Sequence, residues 1–112
     1  MKAKRTEALS GDELLRALAA LANPQRLRIL AALATGRQYV SALAREMGMS
    51  RPLLHMHLQR LEAAALVAGK LELSEEGKAM KFYEATPFAI ELTPDAVAAA
   101  AATLTDAKEE SR

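Results

Sequence analysis

Apolar residues recur at helical spacing through most of this chain and change to strict alternation only once, after residue 66. Leu14, Leu18 and Leu21 share one helical stripe behind Ser10-Gly11-Asp12-Glu13, where Ser10 and Glu13 have the spacing of a capping box. A first helix is predicted over about residues 11–22. Asn23-Pro24 restarts the chain as an N-cap followed by proline at the first helical position, and Leu27, Leu30 and Ala34 form the next stripe until Gly36. That gives a second helix over about 24–34. Arg37-Gln38-Tyr39-Val40 reads as a brief extended piece, with Ser41 as the cap of a short third helix. Ser50 caps a fourth, which runs to about Ala65 with Leu54, Leu58, Leu61 and Ala65 turned inward.

Beyond Leu66-Val67, Leu71 and Leu73 alternate, Ser74-Glu75-Glu76-Gly77 has turn composition, and Ala79-Met80-Lys81-Phe82-Tyr83 is β-prone, which together predict a hairpin. Thr86 to Leu92 is an extended connector with apolar residues at alternate positions. Thr93-Pro94-Asp95 then opens a last helix to about Lys108. A short helix, a turn through Gly48 and a second helix capped by serine is a helix-turn-helix (41–65), and the hairpin behind it (66–85) is a wing. The fold expected is therefore mainly α: a single winged helix-turn-helix domain over 1–112, with about five helices, a two-stranded β-wing and a basic tail at 1–9.

Composition narrows the chemistry. The chain has 112 residues, room for one compact core. Only 4% are aromatic while Ala and Leu dominate, which favours helix over a sandwich or barrel. Without cysteine it has no disulfide, thiolate metal site or thiol switch. Its two histidines, His55 and His57, lie two apart on a helix and point in different directions, so they cannot chelate one metal. The polar start Met1 to Glu7 does not resemble a signal peptide, and no apolar run approaches the ~18 residues of a membrane span. A soluble, cytoplasmic protein without membrane contact is expected. No glycine-rich phosphate loop, no cysteine nucleophile and no histidine with a carboxylate partner at a family spacing is present, so an enzyme is not expected.

Charge is uneven although its net is only +1. Between Asn23 and Lys70 seven basic residues (Arg26, Arg28, Arg37, Arg45, Arg51, Arg60, Lys70) face two acidic ones (Glu46, Glu62), a net of +5. From Phe82 to Arg112 two basic residues face six acidic ones, a net of −4. A basic helix-turn-helix beside an acidic tail fits one face for phosphate and another for protein or solvent. On the fourth helix the buried stripe leaves Pro52, Met56, Gln59 and Arg60 outward, flanked by Leu53 and His55. Gln59 suits adenine, Arg60 guanine or phosphate, and the apolar members suit a thymine methyl. The candidate DNA contacts are Arg51, Pro52, Leu53, His55, Met56, Gln59 and Arg60, with Lys70 and Lys78 of the wing. Glu75 and Glu76 at the wing tip oppose deep insertion beside phosphates. His57, at the edge of the buried stripe, is expected to pack or to bond backbone. A second reading stays open: the apolar outward face of the fourth helix docks on a protein partner instead of a groove.

In order and spacing, several segments resemble the ArsR-type winged-helix transcription repressors over about residues 18–85. They are Leu21-Ala22-Asn23-Pro24-Gln25-Arg26-Leu27-Arg28-Ile29-Leu30, Leu43-Ala44 with Gly48-Met49-Ser50, His57-Leu58 with Leu61, and the wing's Leu66-Val67 entry and Lys81-Phe82-Tyr83 exit. Metal-sensing members carry Cys-x-Cys where this chain has Tyr39 and Ser41, and Asp and His ligands on a last helix that here offers Asp95 and mostly alanine. The resemblance thus implies a homodimeric DNA-binding regulator, a repressor, of the non-metal kind, with no cofactor and with an effector, small molecule or protein, unassigned. Surplus apolar residues at both ends point to dimerisation through 10–22 and 93–108, using Leu14, Leu15, Leu18, Leu21, Val97, Ala101 and Leu104.

Overall fold

A computed structural model describes residues 8–105. Five helices, α1 (Gly11–Leu21), α2 (Pro24–Leu33), α3 (Val40–Met47), α4 (Arg51–Ala63) and α5 (Pro94–Ala101), surround three strands, β1 (Gln38–Tyr39), β2 (Val67–Leu73) and β3 (Ala79–Ala85). This is a winged helix-turn-helix, as the patterning predicts. Most helix starts follow from their caps. Ser10 accepts from the Glu13 amide and Glu13 returns the bond to the Ser10 amide; Asn23 accepts from Arg26, Ser50 from Leu53, and Thr93 from Ala96.

The core lies where α2, α3 and α4 close over the base of the sheet. Ile29, Leu43, Leu54, Leu58 and Leu61 are fully buried there, with Leu33, Val40, Leu66, Val67 and Tyr83 around them. Each such aliphatic side chain contributes roughly 1.5–3 kcal/mol on burial. Phe88 and Ile90, the alternate apolar residues of the connector, pack against this core from outside.

Several details differ from the sequence expectation. The sheet has three strands in the order β1-β3-β2, because Gln38 and Tyr39 pair antiparallel with Tyr83 and Phe82. Val40 already belongs to α3, so Ser41 lies inside the helix and caps nothing; the N-cap is Tyr39, without a side-chain bond. The inward face of α2 carries Arg26, Ile29, Leu30 and Leu33, whereas Leu27 and Ala34 are exposed. With apolar residues all round this helix, periodicity could not choose a face. α4 stops at Ala63, so Ala65 is not on the buried stripe: it is exposed, in a left-handed conformation at φ 64°. α5 ends at Ala101, before the expected Lys108, where Thr103 and Leu104 turn back to Ala100 and Ala101 carbonyls. The basic residues Lys2, Lys4 and Arg5 of the tail, and positions 106–108, lie outside the described residues.

Candidate nucleic-acid interface

α4 is placed by the turn that precedes it. Gly48 takes φ 66°, and its amide and that of Met49 close the end of α3 onto the Arg45 and Ala44 carbonyls. Ser50 then starts α4 with Pro52 in its first turn. With Leu54, Leu58 and Leu61 wholly inward, Arg51, Pro52, Leu53, His55, Met56, Gln59 and Arg60 all stand exposed on the rest of the helix. The arrangement is one cation at the first turn, one at the last, and an amide, a thioether and an imidazole between them. Such a row can hold phosphates at its ends and meet base edges between. Lys70 on β2 and Lys78 beyond the wing turn are exposed but belong to the wing, with Glu75 and Glu76 exposed at its tip. One face of the wing also leaves Leu71 and Leu73 open to solvent.

Burial revises the charge count. Arg26 is buried, at 9% exposure. Arg37 forms a two-pronged pair with Glu72, at 2.5 and 3.1 Å, and stacks 4.1 Å over the Phe82 ring. That hydrogen-bonded guanidinium holds the Glu72 carboxyl below its ordinary range. Arg28, Arg45, Arg51, Arg60 and Lys70 are then the exposed cations of the Asn23–Lys70 segment outside the Arg37–Glu72 pair.

His57 faces inward, as its place beside the leucine stripe suggests, but its partner is a side chain rather than backbone. Its Nδ1 accepts from Arg26 Nη1 at 3.1 Å. The same guanidinium donates through Nε to the Ala20 carbonyl at 2.7 Å and through Nη2 toward the Ala19 carbonyl at 3.5 Å. Burial lowers the His57 pKa from 6.5, and the Arg26 and Arg60 cations lower it further. Sequence reasoning missed this link. Its one visible signal was a histidine on an inward stripe, which must find a partner.

At the far side, α1 and α5 meet closely. The Gly11 amide donates to Thr103 Oγ1 at 2.7 Å, and Thr105 Oγ1 donates to Asp12 Oδ2 at 2.7 Å. Of the residues assigned to dimerisation, Leu14 is buried within the protomer and Leu18 and Leu21 are half-buried, while Leu15, Val97, Ala101 and Leu104 are exposed. A cavity of about 1000 Å³ runs beside this seam, between Leu9, Leu14 and Ile90 and the Ala96–Ala99–Thr103 side of α5. Among the described residues no group of three or more His, Cys, Asp or Glu comes together as a metal site would require, and no helix is long and apolar enough to cross a membrane.

Three helices packed into a helix-turn-helix with an antiparallel wing define a winged-helix DNA-binding domain. Residues 23–68 match the model of the bacterial regulatory protein, arsR family. An uncharacterized HTH-type transcriptional regulator of Methanocaldococcus jannaschii is 41% identical over 69 residues, which cover 62% of this chain and 72% of that protein. Among solved structures, a possible transcriptional regulatory protein from Mycobacterium bovis (fragment 1–100) is 34% identical, with 66% of this chain and 74% of that chain aligned at a TM-score of 0.59. A solution structure of a homodimeric winged helix-turn-helix DNA-binding domain from Mycobacterium bovis, a possible ArsR-family transcriptional regulator, is also 34% identical and covers 66% of this chain and 64% of that one at 0.60. The chain belongs to the ArsR family of transcriptional regulators, which are not enzymes.

Proposed function

We propose that this protein is a homodimeric repressor that reads a specific duplex sequence with α4, using Met56 and Gln59 on bases and Arg51 and Arg60 on phosphates. Pro52, Leu53 and His55 border the reading row, and Lys70 and Lys78 touch the backbone from the wing. The observation that carries this reading is the division of α4: three leucines at 0% exposure on one side, and on the other an exposed row with a cation near each end. The homodimeric neighbour and the exposed Leu15, Val97 and Leu104 support a two-fold seam along α1 and α5. Half-sites about one helical turn apart follow from that symmetry. DNA binding is proposed to need no metal, since Tyr39 and Ser41 supply no thiolates. The expected location is the cytoplasm.

The test is binding to a duplex selected from a random library and to its scrambled version, across a salt series. Met56→Ala and Gln59→Ala should each cost about 1–3 kcal/mol on the selected site and little on the scrambled one. Arg51→Ala and Arg60→Ala should weaken both and reduce the salt slope by about one. The exposed Leu53, Met56, Leu71 and Leu73 favour a second reading, a docking face for protein. Failure of the selection to enrich any sequence would shift the conclusion to that reading.

A further inference from the structure

Arg26 and His57 are buried, yet neither belongs to the apolar core or to the outward row of α4. Arg26 reaches from α2 in two directions. Toward α1 it meets the Ala20 and Ala19 carbonyls, in the last turn, where helical partners run out and the negative end of the helix dipole gathers. Toward α4 it meets His57, midway along the helix. One guanidinium therefore ties the end of a seam helix to the middle of the reading helix.

The chemistry of this tie depends on a proton. Arginine has only donors, so Nδ1 of His57 must offer a lone pair, which fixes the ring as neutral with its hydrogen on Nε2. A proton on Nδ1 replaces the bond with two cations 3.1 Å apart in a site shielded from water. The charges that lower the pKa of the ring are Arg26 from α2 and Arg60 from α4 itself, both positive, while α1 presents backbone carbonyls to Arg26.

We propose that Arg26 and His57 are positioning residues for DNA reading: their hydrogen bond sets the angle between α1 and α4, and so the spacing at which a dimer presents its two reading helices. This rests on the dimeric DNA-reading function proposed above. Opening the tie, by acid or by substitution, leaves the core, the seam and the phosphate contacts in place while the two α4 helices lose their common register. Specific affinity then falls and non-specific affinity does not. The stability effect has its own sign. With the folded pKa below the ordinary 6.5, the contribution of neutral His57 is complete above the unfolded value and is lost as pH falls through the folded one.

The experiment compares wild type, His57→Gln and Arg26→Lys on the library-selected duplex, on the same half-sites with altered spacing, and on a scrambled duplex. Ionic strength is held constant between about pH 5.5 and pH 7.5, and mass and unfolding midpoint are recorded for each protein. For wild type the selected site should lose affinity toward acid, by less than tenfold at about pH 5.5 because the folded His57 value lies below 6.5, with no loss on the scrambled duplex. His57→Gln keeps an acceptor that does not titrate, so it should stay flat near the wild-type affinity. Arg26→Lys, a single-point donor, should remain dimeric and lose about tenfold of the preference for the selected spacing. A wild-type curve without acid loss, or a His57→Gln curve that follows the wild-type fall, overturns the proposal. Imidazole and amide NMR titration of the wild type reads the tie without DNA: His57 should titrate below the ordinary histidine value of 6.5, and the Ala19–Ala22 amides should shift with it. If no duplex is selected, the DNA-reading function fails while this titration still decides the tie. Ala19–Ala22 amides that ignore His57 overturn it, whatever the duplex results and even where Arg26→Lys does not fold.

Discussion

The helix-turn-helix body and the α1–α5 seam draw on the same residue types, leucine and alanine, but use them differently. In the body, helices converge from several sides on the base of the sheet, and Ile29, Leu43, Leu54, Leu58 and Leu61 reach 0% exposure. In the seam, two helices meet along one side only, and Leu15, Val97 and Leu104 remain at 56, 46 and 43%. Ala96 and Ala99 of α5, with Thr103 just beyond it, line the cavity next to α1, while Val97 and Ala101 are exposed and do not line it. A region closed within its own chain has a stability that ignores protein concentration. A region whose apolar side is open gains stability from whatever covers it, and for a second copy that gain follows mass action.

The largest effect should come from breaking the body. Leu58→Ala removes a fully buried side chain between α4 and the core, and large-to-small changes of this kind cost about 2–5 kcal/mol. Urea unfolding should show the same loss at low and at high protein concentration. A loss that shrinks as concentration rises would mean that the body is not complete in one protomer.

A smaller and differently shaped effect is expected in the seam. A Cβ on Gly11 would stand 2.4 Å from the Ala100 carbonyl oxygen and 2.7 Å from Leu104 atoms, so backbone must move. Gly11→Ala should cost about 1–3 kcal/mol, the usual range for overpacking, and should push the end of α5 off α1. Since Leu104 lies just past that end and Val97 is on the same helix, dimer mass by sedimentation should fall at low concentration, while the body unfolds with unchanged cooperativity. Val97→Glu should lower the dimer mass without the clash. If both variants keep the wild-type mass at every concentration, the seam is not where two copies meet.

The two regions were also unequally legible in the sequence. Ser10 with Glu13, Asn23-Pro24, Ser50 with Pro52, and Thr93-Pro94 place four helix starts because a cap is a local signal carried by adjacent residues. The cap of α3 was misplaced by two residues, at Ser41, because the actual cap, Tyr39, makes no side-chain bond. The extended piece at 37–40 was read, but not its place in the sheet, because Gln38 and Tyr39 become a strand only through distant Phe82 and Tyr83. The two faces of α4 were readable, since Leu54, Leu58 and Leu61 leave only one outward row. The Arg26–His57 bond was not, because it joins two helices whose packing no local pattern encodes. The seam was readable as surplus leucine, but not which leucines the protomer keeps: Leu14 turns in and Leu15 does not.

The smallest effect concerns one backbone angle in the body. α3 and α4 end with the same pair of bonds: Met49 to Ala44 and Gly48 to Arg45 in the first, Leu66 to Leu61 and Ala65 to Glu62 in the second. Both closures need a left-handed residue, at φ 66° for Gly48 and 64° for Ala65. Glycine meets this without strain, whereas an L side chain there costs roughly 1–2 kcal/mol from Cβ against the following carbonyl. Ala65→Gly removes that strain but gives the unfolded chain more freedom, an offset of about 0.4–1 kcal/mol. The net should be a gain of up to about 1.6 kcal/mol, seen as a rise of a few degrees in Tm. Gly48→Ala should lower Tm instead, although a Cβ there meets nothing within 4 Å, so the loss is one of backbone alone. Both shifts should be the same at every protein concentration, because both closures lie in the self-contained body. A shift for Ala65→Gly that grows on dilution would tie the end of α4 to the seam and redraw the boundary between the two regions.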